Sequence, residues 1–403
     1  MADKSGAPEK LDVLEGANVS IIVVAASVKV QTHLVQLLGE LEYQRVTTFF
    51  GGIEALRHLE ENPVSIVICE ARMNHMPGWE FVRELKTSER IPNIPVIFGG
   101  PKENEVPADE LRKFGVLEYL AFPVTRSKLM FLMSSSLALA KTSGTIEHKF
   151  SKAKDALIKN ASSQAVELYS ELRTLTEKNV RSTVGLVQSY VKADDLVQAE
   201  AVMEDMAKDN GAVLTDAPSL LMQATFHLRR NEPDRARAVV DRMLKLMPDA
   251  PFNYVRCLRL FADTDQFVHT EHICKEALKR NFRLPDFHLG LAKCQYSGGW
   301  YDDAVKTVED GIAAFGANND FLNLKGVCCK KKGDFTAALV CYEQGLKLAP
   351  LDPKIYFNIA NCYLAMKNYP EAQRYFEACL KISPGFVRAA AKLDELKNHQ
   401  AAG

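Results

Sequence analysis

Two hydrophobic rhythms divide the chain. Up to about residue 141, short apolar runs alternate with segments of helical period. Beyond about residue 146 the runs disappear and a helical pattern repeats every 34 residues. The first part holds five runs: VSIIVVA (19–25), YQRVTTFF (43–50), VSIVICE (64–70), IPVIFG (94–99) and EYLAFP (118–123). Helical segments fall near 29–40, 52–61, 79–87 and 106–114, with a last one at 125–141. Strands this apolar, separated by helices, predict a five-stranded parallel sheet covered on both faces. In an open sheet of this kind chemistry sits beyond the strands' C-terminal ends. Those ends carry Ala25, Ala26, Glu70, Gly100 and Phe122.

The order of landmarks is specific: IIVVAAS, then GGIEAL opening a helix, then SIVICEARMNHMPGWEFVRELK, then IPVIFGGPKEN, then FGVLEYLAFPVTRSKL. Together they resemble a bacterial response-regulator receiver domain of flavodoxin-like fold. The resemblance implies an aspartate acceptor ending the third strand, an acidic pair after the first that holds magnesium, a Thr or Ser after the fourth, a Lys after the fifth and a switch aromatic. Mapped onto this chain, the acidic pair falls on Ala25 and Ala26, the acceptor on Glu70, the hydroxyl on Gly100 and the Lys on Phe122; the aromatic survives as Tyr119. Magnesium wants a near-octahedral set of oxygens, and phosphoryl transfer rests on positioning and charge neutralisation. A degenerate receiver that cannot be phosphorylated is therefore expected. Glu70 reads either as a solvated carboxylate at a strand end or as an outward-reaching mimic of the phosphorylated state that holds Tyr119 in one rotamer. The segment TRSKLMFLMSSSLALAK, 125–141, has a surplus apolar face at Met130 and Phe131. Such a face marks a dimer contact or a junction with the following domain.

In the second part Pro248, Phe282, Gly316, Pro350 and Pro384 stand 34 residues apart. A small residue lies twelve before each of them (Ala236, Thr270, Ala304, Ala338, Ala372), and Ala224, Leu258, Ala292, Gly326 and Ala360 lie twelve further back. Two looser pairs precede them around Ala165 and Ala199, separated from the regular set by a slip of three residues near 210–217. The pattern resembles the tetratricopeptide repeat, a helix pair closed by proline. The expected organisation is a receiver-like domain at 17–141, an array of about seven helix pairs at 146–386 and a closing helix at 387–400. The resemblance implies a concave groove lined by repeat positions 2, 5, 9, 12 and 13. These positions hold Arg259, Lys293, Tyr296, Asn323, Lys330, Lys331, Lys354, Phe357 and Asn361, a set suited to an acidic or carboxylate-ended peptide.

Composition narrows the function. Net charge is -1, so neither half carries the basic excess that nucleic acid requires. No apolar run is long enough to insert in a membrane, and MADKSGAPEK has no apolar signal core; a cytoplasmic location is expected. The nine cysteines show no CxxC pair and read as small packing residues. With no nucleophile, phosphate-loop or metalloprotease motif, no enzyme and no cofactor are expected. The expectation is a scaffold for a bacterial signalling or motility complex, with a protein or acidic peptide in its groove and a possible homodimer. The alternative is a regulated binding module whose receiver half switches through a ligand or partner, with Glu70 as phospho-mimic.

Overall fold

The computed structural model describes residues 19–101, 108–117, 119–209 and 216–401. The chain divides into two compact units, residues 1–253 and 254–403, and each is described by itself.

The first unit opens on β1 (Ser20–Val24), α1 (Val28–Glu40), β2 (Arg45–Phe49), α2 (Gly52–Glu61), β3 (Ile66–Glu70), α3 (Gly78–Thr87), β4 (Val96–Gly100), α4 (Ala108–Lys113), β5 (Tyr119–Ala121) and α5 (Arg126–Lys141). The five strands are parallel in the order β2-β1-β3-β4-β5. The central strands β3 and β4 are buried along their whole length, whereas RVTTF of β2 is largely exposed, as suits an edge strand. Ile21, Val23, Ile66, Ile68 and Ile97 meet Leu34 and Leu38 of α1 and Leu129, Leu132 and Met133 of α5 in one core. The start of the fifth apolar run at Glu118 and the start of the helical segment at 106 lie outside the described residues.

Among the described residues this unit continues with α6 (Ile146–Ile158), α7 (Ser162–Leu175), α8 (Val180–Lys192), α9 (Leu196–Asp209), α10 (Ala217–Arg229) and α11 (Pro233–Leu246). Here α5 packs on α6, and α3 packs on α8 and α10. The second unit follows with α12 (Pro251–Ala262), whose first residues belong to the first unit, and α13 (Phe267–Lys279). It continues with α14 (Pro285–Ser297), α15 (Tyr301–Phe315), α16 (Asn319–Lys331), α17 (Phe335–Leu348), α18 (Pro353–Ala365), α19 (Tyr369–Ile382) and α20 (Val387–Ala401).

The repeat has a physical basis that the proline register only hints at. Within each pair the turn carries a residue of positive φ at the same place: Asn160, Asp194, Asn231, Asp265, Gly299, Gly333 and Lys367. Six of the seven are Asn, Asp or Gly, the residues that tolerate the left-handed region. Where the two helices of a pair cross, positions twelve apart are buried in every case, from Ala153 with Ala165 and Val187 with Ala199 to Ala360 with Ala372. In the second pair the crossing residue is thus Val187, while neighbouring Gly185 makes room for the ring of Tyr169. The nine cysteines are all buried free thiols.

Candidate functional site

At the C-terminal ends of the strands the structure assembles the residues singled out above. Ala25 is fully buried; its N–H donates to Phe49 O at 3.0 Å. Its carbonyl accepts from the buried amide of Gln31 at 2.8 Å, and that amide also donates to Phe49 O at 2.9 Å. Gln31 thereby satisfies strand-end carbonyls that would otherwise face an apolar surround. Ser27 caps α1, accepting from Val30 N–H.

Glu70 departs from both expectations. It is only 9% exposed, so it is neither solvated nor aimed outward. Its carboxylate turns back over the β1–α1 turn and accepts the Ser27 N–H at 3.4 Å, at the positive end of α1. Burial raises its proton affinity, opposed by the backbone N–H groups of Ser27 and Ala26 and by the charge of Arg72. Arg72, two residues downstream and exposed, is a site cation that the landmark comparison passed over. Beyond Glu70 the backbone is tight: a Cβ on Gly78 would run into the Glu70 carbonyl.

Tyr119 lies over Gly100. A Cβ at position 100 would stand 2.6 Å from the phenol oxygen, so the missing hydroxyl-bearing side chain is the space the ring uses. The phenol donates to Pro101 O at 2.9 Å, and the ring meets Phe98 edge-on at 5.8 Å. Phe122 packs partly against the core, donates its N–H to Gly100 O at 2.8 Å and precedes Pro123 in a cis bond. Among the described residues no group of three or more His, Cys, Asp or Glu side chains is arranged to hold a metal ion. Met130 and Phe131 are 51% and 58% exposed. The packing of α5 on α6 and of α3 on α8 and α10 leaves both exposed.

In the second unit the expected groove residues separate into three kinds. Lys293, Lys331 and Lys354 are exposed and Lys330 is half-buried; among the described residues none of the four forms an ion pair. By contrast Lys325 and Lys332, which sit off these positions, pair with Glu309 and Asp302. Burial lowers the proton affinity of Lys330, and the neighbouring charges of Lys331 and Arg388 lower it further. The amides are engaged at home: Asn323 accepts from Asn358 at 2.6 Å, and Asn361 donates to Phe357 O at 2.8 Å. Arg259 and Tyr296 are half-buried, with Tyr296 tilted on Tyr301 at 5.6 Å.

Phe357 is a correction. It is 8% exposed and packs on Phe376 and Phe386, because α19 and α20 close over it, so it belongs to the core and does not line an open surface. Arg388 of α20 covers its ring at 5.1 Å. Arg388 falls in the expected closing helix and stands 34 residues after Lys354, the signal that places it in the same repeat series.

Residues 21–133 match the response regulator receiver domain family, and residues 320–350 and 353–386 match tetratricopeptide repeat models. The chain joins a receiver domain to tetratricopeptide repeats. It is 34% identical over 130 residues to the transcriptional regulatory protein ZraR of Klebsiella oxytoca, a match covering 32% of this chain and 29% of that protein. It is 24% identical over 330 residues to cellulose synthase operon protein C of Pseudomonas fluorescens, covering 76% of this chain and 25% of that one. The chain therefore spans less than a third of either relative. A tetratricopeptide repeat protein from Parabacteroides merdae superposes with a TM-score of 0.42 at 14% identity, covering 62% of this chain and 98% of that one. Receiver and repeat domains are modules of signalling and protein interaction, and no enzymatic family is indicated. Among the described residues no helix is long and apolar enough to cross a membrane.

Proposed function

We propose that the protein is a non-enzymatic signalling adaptor whose second unit binds an acidic segment of a partner protein, while its receiver domain cannot be phosphorylated. The observation that carries the binding half is the set Lys293, Lys330, Lys331 and Lys354: cations at four different repeat positions on three successive first helices, without ion pairs among the described residues. Unneutralised charges along one surface steer and hold a ligand of opposite sign. The receiver half of the reading rests on Ala25, Ala26 and Phe122, which supply neither metal ligand nor cation, and on Glu70, whose carboxylate is engaged by the α1 N-terminus. The alternative, in which Glu70 mimics a phosphoryl group and drives Tyr119, draws less support, because that carboxylate points back to Ser27 and the phenol donates to Pro101.

The test uses a fluorescein-labelled peptide of alternating Asp and Glu with a free C-terminus, read by anisotropy. Wild-type protein should bind it with an affinity that falls as salt rises. Reversal of Lys293, Lys330 and Lys331 to Glu should weaken binding at least tenfold with an unchanged helical circular dichroism signal. Equal binding by the triple variant would sink the groove reading. Incubation with acetyl phosphate and magnesium, followed by intact mass, should leave the chain unmodified; a phosphorylated species would overturn the receiver half.

A further inference from the structure

The 34-residue register makes Glu147 and Arg181 equivalents of one another, and Lys154 and Gln188 likewise; continued with the three-residue slip, the second series reaches Arg259, Lys293 and Asn361. The residues at these places in the first two helix pairs all touch the receiver domain. Arg181 donates to both oxygens of Glu147, at 2.7 and 3.1 Å, and to Asn93 Oδ1 at 2.8 Å. Asn93, from the loop before β4, also accepts from Lys86 Nζ at 3.0 Å and donates to Glu147 O at 3.1 Å and Oε2 at 3.3 Å. Lys86 at the end of α3 stands 3.6 Å from Glu147. A Cβ on Gly115, in the loop before β5, would run into the Glu147 carboxylate.

The end of α3 is capped from outside its own domain. A helix leaves its last carbonyls without intrahelical partners. Here Lys154 Nζ donates to Leu85 O at 2.6 Å and Gln188 Nε2 to Thr87 O at 3.2 Å. Lys86, Lys154 and Arg181 are all nearly fully buried. Glu147 faces Arg181 and Lys86, Glu84 of α3 adds negative charge near Lys154, and the negative end of the α3 dipole lies where Lys154 and Gln188 approach it. Arg181 also rests on the ring of Phe150, 3.6 Å from its centroid. At the rim Lys192 lies 3.9 Å from Glu89 and Arg83 3.4 Å from Asp216. As a result α8 is buried almost all round, including Ser182, Thr183 and Ser189.

We propose that the receiver domain is the built-in occupant of the array's first two helix pairs: the end of its α3, with Lys86 and Asn93, fills there the repeat positions that in the second unit include Lys293 and Lys354, both exposed and without ion pairs among the described residues. It is thereby also the N-terminal cap that a stacked-repeat protein requires, since terminal repeats otherwise expose an unpartnered face. The joint lies at the strand-N-terminal edge of the sheet, whereas Glu70, Gly100 and Tyr119 lie at the opposite end. The inference does not depend on whether the second unit binds an acidic segment.

The test keeps the full chain and places a protease site between Ser143 and Gly144, in the exposed link before Thr145 caps α6. After cleavage, light scattering should still report the intact 44.9 kDa species, and the amides of α6 and α8 should exchange as slowly as before cutting. With Arg181→Ala the cut pieces should separate, and α6 and α8 should exchange at least tenfold faster while α16 and α18 do not change. Gln188→Ala alone removes a contact of the joint without stranding a buried charge, and should shift the same amides in the same direction by a smaller factor. Separation of the cut wild-type pieces with α6 and α8 still fully protected would overturn the proposal, as would retention of the complex and of protection in both variants. Separation accompanied by loss of protection would support the cap.

Discussion

Within the first unit, equivalent positions of two helix pairs contribute Glu147, Arg181, Lys154 and Gln188, and all are consumed by the receiver domain. Within the second unit the same register supplies Lys293, Lys354 and Arg388. The difference lies in who provides the acid. The first two pairs bring their own carboxylate, Glu147, and meet a helix end whose carbonyls complete the coordination of the lysine and the amide. The series from Glu147 runs through Arg181, Pro218, Phe252, Asp286 and Asp320 to Lys354 and Arg388, so its last two members are both cations. A surface that neutralises itself can be buried permanently; exposed cations such as Lys293 and Lys354, without ion pairs among the described residues, stay solvated until an anion arrives, because an unpaired buried charge is costly.

Glu147→Ala attacks the filled surface hardest. It leaves Arg181 and Lys86 buried without their carboxylate, and removing one partner of a buried pair costs about 3–5 kcal/mol. Chemical denaturation followed by exchange at unit-specific amides should show the first unit losing that stability and the second keeping its midpoint. A loss under about 1 kcal/mol would mean that the network is hydrated and contributes little.

The same network makes the first unit's stability depend on pH through Lys86 and Glu147, more strongly than in the second unit, where burial lowers the proton affinity of Lys330 by less. Burial and Arg181 push the proton affinity of Lys86 down to about 8, against the pull of Glu147. The unfolded chain then holds more protons than the folded one between that value and the ordinary lysine range near about 10.4, so stability rises with pH across this window, by up to about 3 kcal/mol. Burial opposes ionisation of Glu147, but Arg181 and Lys86 hold its carboxyl well below the usual range. Its contribution is present above the ordinary glutamate value and is lost as pH falls toward its depressed folded value. Melting of the first unit should therefore climb from pH 8 to pH 10 and drop in acid, each measured against the second unit as internal reference.

Truncation at equivalent positions gives a smaller and more direct contrast. Gln188→Ala leaves Thr87 O without its donor and should cost about 1–2 kcal/mol. Lys293→Ala, at the equivalent place in the second unit, should stay within about 0.5 kcal/mol. Equal costs would erase the distinction between filled and open surfaces.

Much of this was legible in the chain. The succession of strands and helices along the chain, the strand-end residues and the helix pairs follow from local periodicity, because apolar spacing is a local property. The orientation of Glu70 was not, since it depends on donors from the β1–α1 turn, over forty residues away. Phe357 was misplaced for a related reason: its repeat position predicts a groove, but α20 ends the array by folding over it. The joint was missed because Lys86, Asn93, Glu147, Lys154 and Arg181 read individually as ordinary polar surface residues. Only the fold brings α3, the loop before β4, α6 and α8 to one point.

The smallest effect concerns a feature that both units share. The turn within each helix pair requires a left-handed residue, met in the first unit by Asn160, Asp194 and Asn231 and in the second by Asp265, Gly299, Gly333 and Lys367. Lys367 holds φ of 60° with a full side chain exposed to solvent. An L residue in that region pays about 1–2 kcal/mol for crowding its Cβ against backbone, and glycine does not, although glycine also adds freedom to the unfolded chain. Lys367→Gly should therefore stabilise the second unit by about 0.5–1 kcal/mol, while Gly333→Lys, the converse change one repeat earlier, should destabilise it by a similar amount. If both substitutions lower the melting temperature, the Lys367 side chain contributes something the turn geometry does not capture, and the common register of the seven turns would no longer be set by backbone conformation alone.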